Sequence, residues 1–194
     1  RYDTEAAQLD TLLPRLGVFF RGLGGAGALR LSAAQARGSR HRLALRQRLA
    51  HGEAEPWEQA RMDHEALVLP ARIACFPSLQ LNERLYYWLS AYFAHVAPVS
   101  NISEDPLRAD LVSLQQVQQA VDRTLAQWPG LRSGYRELCA AVREVRPVRP
   151  LKGVEADVEA VVDHLLGGPE PPDASAAAML AAVASAEPGA VERF

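Results

Sequence analysis

Lysine is nearly absent from this sequence, and cysteine and long apolar runs are scarce. Of the 21 basic residues, all but Lys152 are arginine. The two cysteines, Cys75 and Cys139, stand far apart without a CxxC motif, which excludes a disulfide framework and is typical of a reducing environment. No run approaches the roughly 20 apolar residues that a transmembrane helix requires. We therefore expect a cytoplasmic protein with no direct membrane insertion.

Acidic residues are also missing from one long stretch. Between Thr11 and Gly52 there is no Asp or Glu, but there are eight arginines. Five of these form what we call the arginine block: Arg37, Arg40, Arg42, Arg46 and Arg48. The block is either a solvated basic face or a docking site for an acidic protein surface, because arginine pairs with carboxylates in a bidentate way. The formal net charge of −2 argues against a dedicated nucleic-acid-binding protein.

Apolar residues recur at helical spacing through most of the chain, which predicts a mainly α-helical fold. Residues 29–76 show partial alternation instead and predict a small antiparallel β element, although a helix over Ser39–His51 fits almost as well. In the helix that follows Asp105, the predicted buried stripe includes Leu111, Leu114, Val117 and Val121. The predicted helices cover Asp3–Leu23 as one or two helices around Pro14, then Ser78–Val96, Asp105–Trp128, Leu131–Arg146, Val154–Leu166 and Asp173–Ala186.

The same pattern predicts how the chain is divided. Residues 1–168 are expected to form one helical domain that includes the β element. Residues 169–194 begin with the proline-rich Pro169–Pro172, a stiff linker, and continue into an alanine-rich helix.

Motifs of catalysis, cofactor binding and metal binding are not found. The glycines of Gly22–Gly27 follow a helix and lack the Lys-Ser/Thr pair of a phosphate-binding loop, so they predict a helix end. Asp63, His64 and Glu65 are adjacent and point in different directions, which disfavours a shared metal. We therefore predict no catalytic residue, no cofactor and no metal. A small helical enzyme with a polar pocket around His64 or His95 stays open as an alternative.

Aromatic residues concentrate in one helix. Tyr86, Tyr87, Trp88, Tyr92 and Phe93 fall within eight residues, which places the core of the fold here. Five rings at these positions span more than one helix face, however. Either Tyr87 or Tyr92 is therefore a candidate for contact with a partner protein.

The order of residues around this helix resembles one family, the NorD proteins. The family shows a similar LP-x-R-I…FP…LN-x-x-LY-x-WL progression. In this chain the matching residues are Leu69-Pro70-Ala71-Arg72-Ile73, Phe76-Pro77 and Leu81-Asn82-Glu83-Arg84-Leu85-Tyr86-Tyr87-Trp88-Leu89, with further similarity at Arg21–Gly25 and Asp105–Leu111. The resemblance covers roughly residues 16–166 and is to the N-terminal region of the family.

This resemblance implies a non-enzymatic adaptor. NorD proteins are accessory partners of MoxR-type AAA+ ATPases and are named for activating nitric oxide reductase. The implied partners are the hexameric ATPase and a client enzyme, nitric oxide reductase. The related CbbO proteins, which help such an ATPase to reactivate Rubisco, match less well and are the first alternative; a basic nucleic-acid-binding module is a further one.

One feature of the full-length family is missing from this sequence. NorD proteins carry a C-terminal von Willebrand factor A domain with a metal-binding DxSxS motif. Here Asp173-Ala174-Ser175-Ala176-Ala177 lacks the third position and follows prolines rather than an apolar strand. We therefore expect a magnesium site only in that absent domain, and none in this chain.

Overall fold

The computed structural model describes residues 2–27, 30–33, 60–62, 65–96 and 103–194. Within these ranges the chain is mainly α-helical, with six α-helices and a few short strands. The fold class predicted from the apolar periodicity is therefore confirmed. The chain forms two compact units, Arg1–Val96 and Ala97–Phe194.

In its described part, the first unit combines two helices with five short strands. Helices α1 (Leu9–Gly22) and α2 (Leu79–His95) pack against each other. The strands are β1 (Ala7–Gln8), β2 (Arg30–Ala33), β3 (Arg61–Met62), β4 (Ala66–Leu69) and β5 (Arg72–Ile73). Strand β1 pairs with β5, and β3 with β4, in the antiparallel manner expected, whereas β2 runs parallel to β4. The further strand or helix considered within residues 39–51 lies outside the described residues.

The core of the first unit is formed by α1, α2 and strands β1, β4 and β5. Helix α1 buries Leu9, Leu12, Leu16 and Phe20, which share one face at helical spacing. Strand β4 buries three consecutive residues, Leu67–Leu69, although neighbouring side chains on a strand point to opposite faces. This strand is therefore covered on both sides. Each such side chain contributes roughly 1.5–3 kcal/mol by its burial.

The N-terminal helix starts later than the apolar pattern predicts. The helix expected from Asp3 begins only at Leu9, because Ala7 and Gln8 form a strand opposite Ile73 and Arg72. Ala7 and Ile73 are both buried, so this long-range pairing overrides the local helical signal. Pro14 lies inside α1 and does not start a second helix.

The glycine-rich segment after α1 is a helix end, as predicted. The amide of Gly24 donates to the carbonyl of Arg21 (3.1 Å), and the amide of Gly25 donates to that of Phe20 (2.9 Å). These two bonds form a Schellman motif, which requires a left-handed residue; Gly24 supplies it with φ of 90°. A Cβ atom on Gly25 would lie 2.3 Å from the Phe20 ring. The glycines are therefore explained by the backbone turn and by close packing.

Over its described residues, 103–194, the second unit is built from four α-helices. They are α3 (Pro106–Gln127), α4 (Arg132–Val145), α5 (Val154–Leu165) and α6 (Ala174–Ala184). The Asp105 carboxylate accepts from the amide of Arg108 (2.9 Å) and caps α3, with Pro106 at its first turn. Helix α6 packs against α3 and α5 and buries Met179 and Val183. All four helices lie where the sequence predicts them, to within two or three residues.

One residue that the sequence predicts to be buried on α3 is exposed instead. Val117 is 45% exposed, whereas Gln115 is 3% exposed. The reason is that α6 ends against this part of α3, and its terminal carbonyl groups require hydrogen-bond donors. That residues 169–194 connect to a further domain stays a prediction. The alanine-rich helix within them packs against other helices of the second unit.

Candidate interaction surfaces

The arginine block falls within residues 34–59, outside the described residues. The docking role of Arg37, Arg40, Arg42, Arg46 and Arg48 therefore stays a prediction. The strands that flank this stretch are described. Ala33, the last residue of β2, lies opposite Leu69, and Arg61, the first residue of β3, lies opposite Val68. The chain thus leaves and rejoins the three-stranded sheet at the same end of β4.

The two tyrosines proposed for partner contact are both half-buried. The ring of Tyr87 meets that of Phe19 edge-to-face, with centroids 5.2 Å apart, and packs against the core of the first unit. The ring of Tyr92 meets that of Phe93 in the same manner at 5.2 Å. Such pairs stabilise by about 0.5–1.5 kcal/mol beyond their burial. Both tyrosines therefore contribute to packing within α1 and α2, and their contact with a partner stays a prediction.

The aromatic helix is held at its start by Asn82, which the sequence reasoning did not single out. Asn82 is fully buried, and its side-chain amide makes four hydrogen bonds. The Oδ1 atom accepts from the amides of Cys75 (3.1 Å) and Phe76 (3.0 Å). The Nδ2 atom donates to the carbonyls of Glu5 (2.7 Å) and Phe76 (3.0 Å). One side chain thus joins the N-terminal segment, the turn before α2 and α2 itself.

The other residues of the NorD-like progression also form long-range contacts. The hydroxyl of Tyr86 donates to the carbonyl of Pro70 (2.8 Å), and the Tyr86 ring is completely buried. The guanidinium of Arg72 donates to the carboxylate of Asp3 (2.5 Å) and to its carbonyl (3.1 Å). These residues assemble the first unit. The segment that carries the family resemblance therefore helps to hold the first unit together, as its aromatic content predicts.

A second buried amide, Gln115 on α3, receives the end of α6. Its Nε2 atom lies within hydrogen-bonding distance of the carbonyls of Ala182 (3.1 Å), Ser185 (3.1 Å) and Glu187 (3.0 Å). A helix end leaves its last carbonyl groups without partners in the helix. Gln115 provides donors for these groups and fixes where the C-terminal segment lies in the second unit.

The segment between α4 and α5 is basic and is attached by two ion pairs. The guanidinium of Arg143 contacts the carboxylate of Asp163 (2.8 Å), and that of Arg146 contacts Glu159 (2.7 Å). A cavity of about 330 Å³ lies beside them. It is lined by residues of α4, the connecting segment and α5, among them Val148, Arg149, Leu151 and Ala160.

A smaller cavity, of about 230 Å³, lies between α3, α4 and the end of α5. Its polar lining consists of Gln118, Asp122, Arg132, Tyr135 and Arg136. No serine, cysteine or histidine lines this cavity, so it offers no nucleophile paired with an imidazole base. Burial raises the pKa of the Tyr135 hydroxyl, so this group is neutral and able to donate a hydrogen bond.

Both cysteines are held as neutral thiols. Burial raises the pKa of the Cys75 thiol to about 11, and it also raises the pKa of the Cys139 thiol. A cysteine nucleophile requires the opposite shift, because the thiolate is the reactive form. Neither thiol is therefore activated as a nucleophile.

Metal-binding geometry is not found in the described ranges. There, no three His, Cys, Asp or Glu side chains lie close enough together to hold an ion. Of the two histidines considered for a polar pocket, His64 lies outside the described residues, and His95 is half-buried in the last turn of α2. The part of the chain that the structure describes also contains no helix with the length and apolar character needed to cross a lipid bilayer.

Comparison with known proteins shows similarity to several proteins called NorD. Protein NorD of Brucella abortus is 46% identical over 178 residues, which cover 90% of this chain. Protein NorD of Stutzerimonas stutzeri is 31% identical over 83% of this chain, and an uncharacterized protein of Pseudomonas aeruginosa is 29% identical over 100% of this chain. The matched region makes up 28%, 24% and 27% of these three relatives, respectively.

No family model matches this sequence, and no solved structure matches it. The chain spans about a quarter of the length of the relatives to which it is similar. Over that part the identity to the Brucella protein extends through both compact units, since 90% of the chain is covered. The chain is therefore NorD-like over nine tenths of its length.

Proposed function

We propose that this chain is a non-enzymatic adaptor module that works with a MoxR-type AAA+ ATPase to activate nitric oxide reductase. The observation that carries the proposal is the 46% identity to a protein named NorD over 90% of the chain. The ATPase and the client enzyme come from the family resemblance. The ring supplies mechanical work by ATP hydrolysis, and this module supplies contacts to it.

The described residues are compatible with a contact role. The cavities beside α4 are lined by no serine, cysteine or histidine, and the buried polar side chains Asn82 and Gln115 are engaged in holding the backbone. Activity as a small helical enzyme lacks such support but is open to test. A thermal-shift screen with metabolites and divalent metals would favour it if any compound raised the melting temperature.

The arginine block is the first surface to test. In a pulldown with the purified cognate MoxR-type ATPase, we expect the combined change Arg42→Glu, Arg46→Glu and Arg48→Glu to weaken binding by about tenfold or more. The physical reason is that three carboxylate partners would then face like charges. The matched control is Arg123→Glu, Arg132→Glu and Arg136→Glu, which changes the net charge equally on exposed positions of the second unit.

Unchanged binding by the first triple variant would exclude the arginine block as the docking site. Failure of the wild-type chain to bind the ATPase would count against the adaptor proposal as a whole. The client is tested separately in the host bacterium. Deletion of the gene region that encodes this chain should lower nitric oxide consumption. Loss of Rubisco reactivation instead would favour the CbbO-like alternative.

Binding of nucleic acid is the remaining alternative function. A basic module that binds DNA or RNA would be retained on heparin in a strongly salt-dependent manner. We expect little retention at physiological ionic strength, because the chain is close to neutral overall.

A further inference from the structure

The segment between α4 and α5 exposes an apolar side chain at its centre. We call Arg146–Pro150 the RPVRP segment. Val148, its central residue, has a relative exposure of 101%, the highest among the exposed apolar side chains of the described residues. Val145 before the segment and Val154 after it are also exposed, at 36% and 48%. An exposed apolar side chain bordered by charged groups is available for contact with another protein.

The backbone of the segment is preorganised for such contact. Pro147 and Pro150 each fix their own φ near −65° and provide no amide donor. Arg146 has φ of −69° and ψ of 132°, close to the polyproline II conformation. The amide of Leu151 donates to the carbonyl of Arg149 (2.9 Å), so a tight turn at Pro150 ends the extended part. A segment stiffened in this way loses little conformational entropy when it binds.

Its N-terminal end is fixed to the second unit. Arg146 pairs with Glu159 of α5, and just before the segment Arg143 of α4 pairs with Asp163 of α5. The segment lines the cavity of about 330 Å³ beside these pairs. Arg146 is thus already matched with an acid, whereas Lys152, just beyond the segment, is exposed.

We propose that the RPVRP segment and Lys152 form a docking surface for a protein with an apolar recess bordered by carboxylates. Val148 would enter the recess, and the cations beside it would face the carboxylates. A nucleic acid fits less well, because the centre of the surface is aliphatic and offers no ring for base stacking. The inference rests on the proposed adaptor function for the identity of the partner, the AAA+ ATPase, and adds to it a defined surface that is distinct from the arginine block.

The single lysine makes this surface directly testable. A carbodiimide joins amines to carboxylates in contact with them, and Lys152 carries the only side-chain amine of the chain. With the wild-type chain and the purified ATPase, we expect a crosslinked peptide that contains Lys152. Lys152→Arg keeps the charge but removes the amine, so it should lose that crosslink and retain its affinity.

The apolar contact is tested by Val148→Asp, which should weaken binding by about tenfold or more. The matched control is Val18→Asp, the same change at an exposed position of α1 in the other unit. It should bind as the wild type does. Circular dichroism and melting curves check that both variants fold, as expected for exposed positions.

The outcomes separate the two proposals. If the wild-type chain binds the ATPase but Val148→Asp binds equally well, the docking surface is wrong and the adaptor function stands. If the wild-type chain does not bind at all, both fail. If Val148→Asp retains ATPase binding and loses retention on DNA instead, the surface is a nucleic-acid site and the inference is overturned.

Discussion

At the scale of single residues, the fold of the first unit depends most on Asn82. Its amide has two donor hydrogens and two acceptor sites, and all four are used by backbone groups from two other parts of the chain, Glu5 and Cys75–Phe76. A buried polar side chain is costly when unpaired and stabilising when every partner is present. Asn82 therefore selects one arrangement of the N-terminal segment and α2 over others that bury the same apolar surface.

Asn82→Ala is expected to lower the free energy of unfolding by roughly 2–4 kcal/mol, because several buried backbone groups would lose their only side-chain partner. Urea denaturation followed by circular dichroism measures the change. Asn82→Asp is a sharper probe, since it keeps the acceptors but loses the donors to Glu5 and Phe76. Gln80→Ala, at an exposed position of the same helix, should change stability by less than about 0.5 kcal/mol.

Neither Asn82 nor Gln115 could be assigned its role from the sequence, for a physical reason. Their partners are backbone groups 67 or more residues distant in several cases, and side-chain patterning does not reveal where a backbone carbonyl will lie. The helices were predictable because their signals are local. Asp105-Pro106 marks the start of α3, and the glycines after α1 mark the end of that helix. Each does so through hydrogen bonds to backbone groups only a few residues away.

At the scale of secondary-structure elements, α6 is positioned by donors from α3 rather than by a large apolar face. Its alanine-rich sequence buries Ala176, Met179, Ala182 and Val183, and its last carbonyl groups meet Gln115. The same feature explains why Val117 is exposed although it continues an apolar stripe. The side-chain amide of Gln115, and not the side chain of Val117, faces α6.

Gln115→Ala should therefore destabilise the second unit by about 1–3 kcal/mol, because buried carbonyl groups at the end of α6 would lose their donor. Hydrogen exchange is the more specific measurement, and we expect faster exchange for the amides of residues 183–192. Gln118→Ala is the control, since its side chain bonds to Asp122 on the surface of the same helix. Equal exchange rates in both variants would contradict this account of α6.

The strand pairings show what a sequence pattern does not predict about a strand, namely which strands lie beside it. The apolar run Ala66–Leu69 indicates a strand but not its neighbours, and the parallel partner Arg30–Ala33 lies more than 30 residues earlier. Likewise, Ala7–Gln8 is helical by its apolar spacing and becomes a strand through Arg72–Ile73. In both cases the deciding interaction is long-range, so no local propensity encodes it.

At the scale of the whole molecule, the chain consists of two units that each have a core. The second unit, Ala97–Phe194, buries apolar residues from all four of its helices, including Leu111, Leu138, Val161 and Val183. A helical unit of about 100 residues buries enough surface to be stable without disulfides or metals. We expect the expressed fragment Ala97–Phe194 to unfold in a single cooperative transition with helical circular dichroism.

The measurement is a urea titration of the fragment beside the complete chain. A gradual loss of ellipticity, without a cooperative midpoint, would show that the second unit depends on the first. A cooperative fragment would also allow the RPVRP segment to be studied without the arginine block. The two candidate docking surfaces could then be compared in separate polypeptides.

The attachment of residues 34–59 to the three-stranded sheet has a further consequence. Strands β2 and β3 lie on either side of β4, so Ala33 and Arg61 are separated by about two strand spacings, or roughly 10 Å. The entropic cost of connecting two fixed points rises only slowly with chain length, by about 0.6 kcal/mol for each doubling. We therefore expect β2, β3 and β4 to keep their pairing when the number of residues that connect Ala33 to Arg61 is changed. Related proteins could then differ in the length of this connection without a change in the sheet.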